Sequence, residues 1–106
     1  MAEIQIAGVH YDVSEKLTDY ITSKFGGLDK YGLEFHHIRV TIHEAANHGY
    51  RIDADLHVAH GPEVVAHDTA ETVYAAVDSV VDKCSTQLRR YHDKHAKHHD
   101  KHASQS

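Results

Sequence analysis

Between residues 36 and 58 the chain alternates twice, and this pattern constrains its fold more than any other feature. In HHIRVTIHE, Ile38, Val40 and Ile42 share one face, and His37, Arg39, Thr41 and His43 share the other. After the turn sequence AANHG, YRIDADLHV repeats the pattern with Ile52, Ala54, Leu56 and Val58. A period of two sends successive side chains to opposite sides of a strand, so two consecutive strands are expected. HGP, with the only proline, is a second turn before EVVAH, a further short strand. Polar outer positions on consecutive strands imply a meander with one face packed and one wet.

The flanks supply the rest. EIQIAGV alternates at Ile4 and Ile6 and reads as a short first strand. In DVSEKLTDYITSKFGGLDKY, Ser14 suits an N-cap, and Leu17, Ile21, Phe25 and Leu28 recur at helical spacing. Gly26 and Gly27 are expected to fray the last turn of that helix or to admit a close approach. The final helix is expected to open at DTAE, as an Asp68-x-x-Glu71 capping box or with Thr69 as the cap. Its apolar stripe is Val73, Val77, Val80, Val81, Cys84, Leu88 and Tyr91, and no glycine or proline stops it before the C-terminal residue. The order β-α-β-β-β-α predicts an α+β domain: a four-stranded mixed sheet with both helices packed on one face, similar to a double-stranded-RNA-binding domain. The first β-α-β unit is expected to join parallel strands.

With 106 residues the chain has room for one core. One cysteine, Cys84, excludes an internal disulfide and a multi-cysteine zinc site. No basic-then-apolar leader and no long apolar run are evident, so a soluble, cytoplasmic protein away from membranes is expected. The net charge of −5 conceals an asymmetry: residues 89–106 hold five Lys or Arg against two acids, whereas the rest is strongly acidic. That favours one basic edge over a wholly basic surface.

On a helical wheel Arg90, Lys94, Lys97 and Lys101 all fall within about 40° of Lys83. Glu71, Asp78, Asp82, Asp93 and Asp100 gather about a quarter-turn from this row on the side away from the apolar stripe, so the helix carries a core face, a cationic edge and an acidic back. Ion pairs within the helix, between neighbours such as Asp78 and Lys83 or Asp93 and Lys97, would account for one or two of these lysines. Five cations in register, extending beyond the core, suit a phosphate backbone instead. Lys24 and Lys30 would extend the row if the first helix lay alongside.

No catalytic constellation is present, and neither an enzymatic activity nor a small-molecule substrate is expected. Asp53 and Asp55 read as an outer sheet face, and Cys84 as an inert core residue. His95, His98, His99 and His102 have the i,i+3 and i,i+4 spacings of metal ligands. A projecting helix end supplies little to hold four ligands in place, so they are weak candidates and no functional metal or cofactor is expected. His37, His43 and His57 are weaker still. The tail histidines are better read as titratable groups that would tighten binding to a phosphate backbone as pH falls.

Residues 73–88, VYAAVDSVVDKCSTQL, carry a family resemblance. The core Tyr74-Ala75-Ala76-x-Asp78, followed by Asp82-Lys83 and Gln87-Leu88, resembles the second-helix signature of the short ribosome hibernation-promoting factors and ribosome-associated translation inhibitors, also called sigma-factor modulation proteins. Ile4-x-Ile6 with Gly8, Lys24-Phe25, Leu28-x-Lys30-Tyr31 and Ala54-x-Leu56-His57-Val58 extend it over about residues 2 to 95. The resemblance implies a hibernation-factor domain over residues 1–95, with 96–106 as a His/Lys-rich helical extension or tail. It also implies a non-enzymatic translation silencer in the mRNA/tRNA channel of the small ribosomal subunit, active in stationary phase or stress, with ribosome dimers promoted by some members. The positions matching the family's RNA-binding residues are Lys24, Lys30, Lys83 and Arg90. Gly27 and Thr86 stand where relatives commonly carry a cation, and Arg89, Lys94, Lys97 and Lys101 would compensate. The competing readings are a histidine-rich metal-binding protein and a regulatory protein-interaction module.

Overall fold

The computed structural model describes residues 3–100, with side chains described for residues 3–93. Strand β1 (Ile4–Val9) is followed by helix α1 (Glu15–Gly26), strands β2 (Phe35–Glu44), β3 (Tyr50–Val58) and β4 (Glu63–Ala70), and helix α2 (Val73–Asp100). This is the expected β-α-β-β-β-α order. The sheet runs β1-β2-β3-β4, with β1 parallel to β2 and the other two pairings antiparallel. The parallel pairing follows from the helical crossover, and the antiparallel ones from the short turns.

Ser14 starts α1 as expected, its hydroxyl accepting from the Leu17 N–H at 3.1 Å. Leu17, Ile21, Phe25 and Leu28 are all buried. At the glycine pair the helix tightens into a 3₁₀ turn over Gly27–Tyr31 and stops at Gly32, whose φ of 68° is left-handed.

The inner faces of β2 and β3 are the ones the alternation marked: Ile38, Val40, Ile42, Ile52, Ala54, Leu56 and Val58 are all buried. β2 opens with a bulge. Phe35 opposes Val58 and His37 opposes His57, leaving His36 as the extra residue. Period-two reading does not reveal such an insertion.

The start of α2 differs from expectation. Asp68, Thr69 and Ala70 remain in β4, because the ladder with β3 continues to the pair Tyr50 and Ala70. Thr72 caps the helix instead, its Oγ1 accepting from the Ala75 N–H at 3.1 Å. Neither the Asp68-x-x-Glu71 capping box nor a Thr69 cap forms. Asp68 keeps a strand conformation and uses its carboxylate across the α2–β4 boundary.

α2 buries Val73, Ala76, Val77, Val80, Cys84 and Leu88 against the sheet, with Val81 and Tyr91 half-buried. Ala76 was missing from the expected stripe because its small side chain adds little to an apolar period. A Cβ on Gly61, in the β3–β4 turn, would stand 2.8 Å from the Tyr91 hydroxyl, so the bare glycine lets the helix seat there. The 28 residues of α2 span about 42 Å, longer than the 10-residue β2 at about 33 Å. Leu88 is the last buried residue among those described.

Candidate RNA-binding surface

Two grooves flank α2, and the expected cations are divided between them. The first lies between α1 with its 3₁₀ turn and α2; Lys24, Lys30, Asp78, Asp82 and Ser85 line it. Asp78 organises this groove. Its Oδ1 accepts from the Tyr20 hydroxyl at 2.6 Å and sits 3.7 Å from Lys24 Nζ. The hydrogen bond to Asp78 holds the Tyr20 phenol above its ordinary range, so it stays a donor. Tyr20 also packs edge-on against Tyr74, ring centroids 4.8 Å apart. Lys24 and Lys30 each lie 5.4 Å from a tyrosine ring centroid, Tyr20 and Tyr31 respectively. Tyr31 and Ser85 share a hydroxyl–hydroxyl hydrogen bond that ties the 3₁₀ turn to α2.

The second groove runs between α2 and β4, along the open edge of the sheet. Lys83 Nζ donates to the His67 carbonyl at 3.1 Å and lies 3.4 Å from Asp68 Oδ2. One turn further on, Gln87 Nε2 donates to the Val65 carbonyl at 3.0 Å. These side chains satisfy two outward carbonyls of an edge strand that would otherwise invite another strand. Asp68 also accepts from the Ser79 hydroxyl and, at 2.8 Å, from the Thr69 N–H. Those hydrogen bonds, Ser79 foremost, then Thr69 and Lys83, hold its carboxyl below the usual carboxylate range.

The expected row of cations is therefore interrupted. Lys24 and Lys30 do not extend the line of Lys83, because α2 itself, with Asp82 lining both grooves, stands between them. The ion pair between Asp78 and Lys83, offered as the alternative to a phosphate-facing row, is not formed; each finds its partner on a different element, Lys24 on α1 and Asp68 on β4. Arg89 and Arg90 follow Leu88 and are both exposed. The side chains of Lys94 and Lys97 lie outside the described residues, as does Lys101 altogether. Asp78 and Gln87 stand out in the sequence only as parts of the second-helix signature, and Asp68 only as a capping-box candidate; their roles in these grooves are not legible there, because each acts through a partner 11 to 58 positions away.

The metal candidates His95, His98, His99 and His102 fall outside the described side chains. On the sheet, His37 and His57 are cross-strand neighbours with ring centroids 5.4 Å apart. His43 turns instead to Asp53, Nε2 to Oδ2 3.0 Å, so the three do not meet. Among the described residues, no three His, Cys, Asp or Glu side chains are arranged to hold a metal ion. Burial pushes the Cys84 thiol up to about 12, which suits an inert core residue. No described helix is long and apolar enough to cross a membrane.

A family model described as Sigma 54 modulation protein / S30EA ribosomal protein matches residues 4–96. The chain is 33% identical over 93 residues to a ribosome hibernation promoting factor of Salmonella typhimurium, covering 87% of this chain and 95% of that protein. It is 34% identical over 92 residues to the factor of the same name from Azotobacter vinelandii, covering 87% and 84%. Its fold is similar to the Thermus thermophilus Protein Y N-terminal domain, with a TM-score of 0.77 at 25% identity over 86% of this chain and 99% of that one. A ribosomal subunit interface protein from Coxiella burnetii superposes with a TM-score of 0.73 at 25% identity, covering 83% and 94%.

Proposed function

Because the chain belongs to the Sigma 54 modulation protein / S30EA ribosomal protein family, we propose that it silences translation by occupying the mRNA/tRNA channel of the small ribosomal subunit. The family is a non-enzymatic, ribosome-associated one that regulates translation through hibernation. What carries the reading is the match over residues 4–96, which takes in the whole sheet, α1 and all but the last four residues of α2. The finer assignment, that ribosomal RNA is the ligand, is supported by the cations on the helical side. Lys24, Lys30, Lys83, Arg89 and Arg90 are placed there, and Lys94, Lys97 and Lys101 would continue the basic end of the chain.

Such a surface meets phosphate without reading sequence, so binding depends on salt. Exclusion is then steric: a folded domain in the channel and a messenger strand do not share the space. The test is sedimentation of the protein with purified small subunits at rising KCl, with and without messenger and transfer RNA. Salt-sensitive co-sedimentation that messenger RNA displaces is the expected result. Co-sedimentation unaffected by saturating messenger and transfer RNA would overturn channel occupancy. The same gradients, run with whole ribosomes, report whether ribosome pairs accumulate.

A further inference from the structure

The helices cover one face of the sheet, and the other face is an imidazole-rich surface that the helical reading does not use. The registered strands set its rows. β2 presents His36 and His37 at the bulge, then Arg39 and His43; β3 presents Arg51, Asp53, Asp55 and His57; β4 presents Glu63 and His67. β1 adds only the uncharged Gln5, Ala7 and Val9 in the same rows. Five of the chain's thirteen histidines thus stand on one open face.

The geometry points to a second RNA-binding surface on this outer sheet face, selective for single strands and engaged on acidification. It goes beyond the reading of the helical side and does not depend on it.

Charge is the first argument. With neutral imidazoles the face carries two arginines against three carboxylates, and Asp53 is already held by Arg51 at 3.0 Å and by His43 at 3.0 Å. Histidine is the side chain whose ordinary titration falls between about pH 5 and 8. Protonating the five imidazoles reverses the sign of the face, from slightly acidic to strongly cationic. Glu63 moves in the same sense: hydrogen bonding to Asp55, and repulsion by it, raise its carboxyl, so it surrenders its charge earlier than an isolated glutamate. The groups that oppose this are Asp53, kept ionised by Arg51, and Asp55.

Shape is the second argument. Single-stranded RNA is bound on open sheets by stacking bases against aromatic rings and guanidinium planes. Because of the bulge, His36 and His37 both face His57, with ring centroids 5.1 Å and 5.4 Å from it at 83° and 64°. Arg39 and Arg51 lie further along the same face. A duplex presents no free base faces to such rings, so the preference is for single strands.

The experiment uses the full chain in which the five histidines of residues 92–102 are replaced by Gln, which removes the tail's own titration. The probe is a uridine 12-mer with a pH-insensitive dye, read by fluorescence anisotropy at pH 7.5 and 6.0. Kd is expected to tighten at least tenfold on acidification. Adding His36→Gln, His57→Gln and His67→Gln, all exposed positions, should reduce that gain to less than twofold at an unchanged melting temperature. Arg89→Glu with Arg90→Glu should weaken ribosome co-sedimentation yet keep the tenfold ratio on the 12-mer. A sheet-face variant that retains the full gain overturns the proposal, whatever the ribosome result. An equal gain on a 12-base-pair RNA duplex overturns the single-strand selectivity.

Discussion

Lys83 on α2 reaches across to Asp68 on β4, Nζ 3.4 Å from Oδ2. It also caps the edge-strand carbonyl of His67. A residue expected to face RNA is thus also a clasp between helix and sheet. The two roles separate by mutation. Arg89→Glu with Arg90→Glu changes exposed positions, so small-subunit binding should fall while the melting temperature holds. Each phosphate contact contributes roughly 0.7 to 0.9 to the logarithmic salt slope, so this pair should flatten the slope by nearly two. Lys83→Glu places a second carboxylate beside Asp68 and should lower both binding and melting temperature. Sedimentation across a KCl series, with parallel thermal melts, decides whether the arginines carry the RNA contact.

Asp68 makes the same clasp pH-dependent. Its carboxyl is held below the ordinary range by Ser79, the Thr69 N–H and Lys83. A depressed carboxylate contributes stability that is present above about pH 4 and is lost as pH falls through the folded value. Asp68→Asn should therefore cost about 1 kcal/mol at pH 7, limited by solvent screening at the half-exposed Lys83. The difference from wild type should shrink as pH falls below about 4 and disappear once pH has passed below the depressed folded value. Denaturant melts at pH 7, 5 and 3 give the comparison. A constant difference down to pH 3 would show that packing, not charge, accounts for it.

The start of α2 yields a third prediction. Thr72 accepts from the Ala75 N–H, whereas Thr69 lies exposed in β4, opposite Arg51. Replacing an N-cap threonine by alanine costs about 1 kcal/mol. Thr72→Ala should lower stability by that amount, and Thr69→Ala by less than about 0.5 kcal/mol. Equal losses at both positions would contradict the observed boundary.

That boundary shows where sequence patterns stop being informative. Ile38, Val40, Ile42 and the matching β3 residues were legible because burial on a strand enforces a period of two, whatever the partner strand. Ser14 and the stripe from Leu17 to Leu28 were legible for the same reason at helical spacing. Asp68-x-x-Glu71 has the form of a capping box, but pairing with β3 outweighs that local preference and extends the strand through Ala70. The split of the cations was not legible either. A helical wheel orders residues around one axis and is blind to what stands beside it. The structure sets α1 and β4 on opposite flanks of α2, sending Lys24 to one groove and Lys83 to the other. The His36 bulge follows from pairing with β3, which periodicity along β2 alone does not contain.

Two glycines give the last prediction, since the same substitution should have opposite effects at them. At Gly8, near the end of β1, a Cβ would stand 2.1 Å from the Tyr11 carbonyl oxygen and 3.1 Å from a Val13 methyl. The first of these is backbone, so no rotamer change relieves the clash, and the loop leading to α1 must move. Tyr11 packs edge-on against Tyr50 at 5.8 Å, so that movement pulls on β3 as well. Overpacking of this kind costs about 3 kcal/mol. At Gly27 the backbone is helical, with φ −64° and ψ −14°, and a Cβ would meet nothing within 4 Å. Alanine there narrows the unfolded ensemble without strain and should stabilise by about 0.5 to 1 kcal/mol. Gly8→Ala should therefore lower the midpoint of urea unfolding and Gly27→Ala raise it. A Gly8→Ala protein as stable as wild type would mean that the Tyr11 carbonyl does not approach β1 as closely as the structure places it.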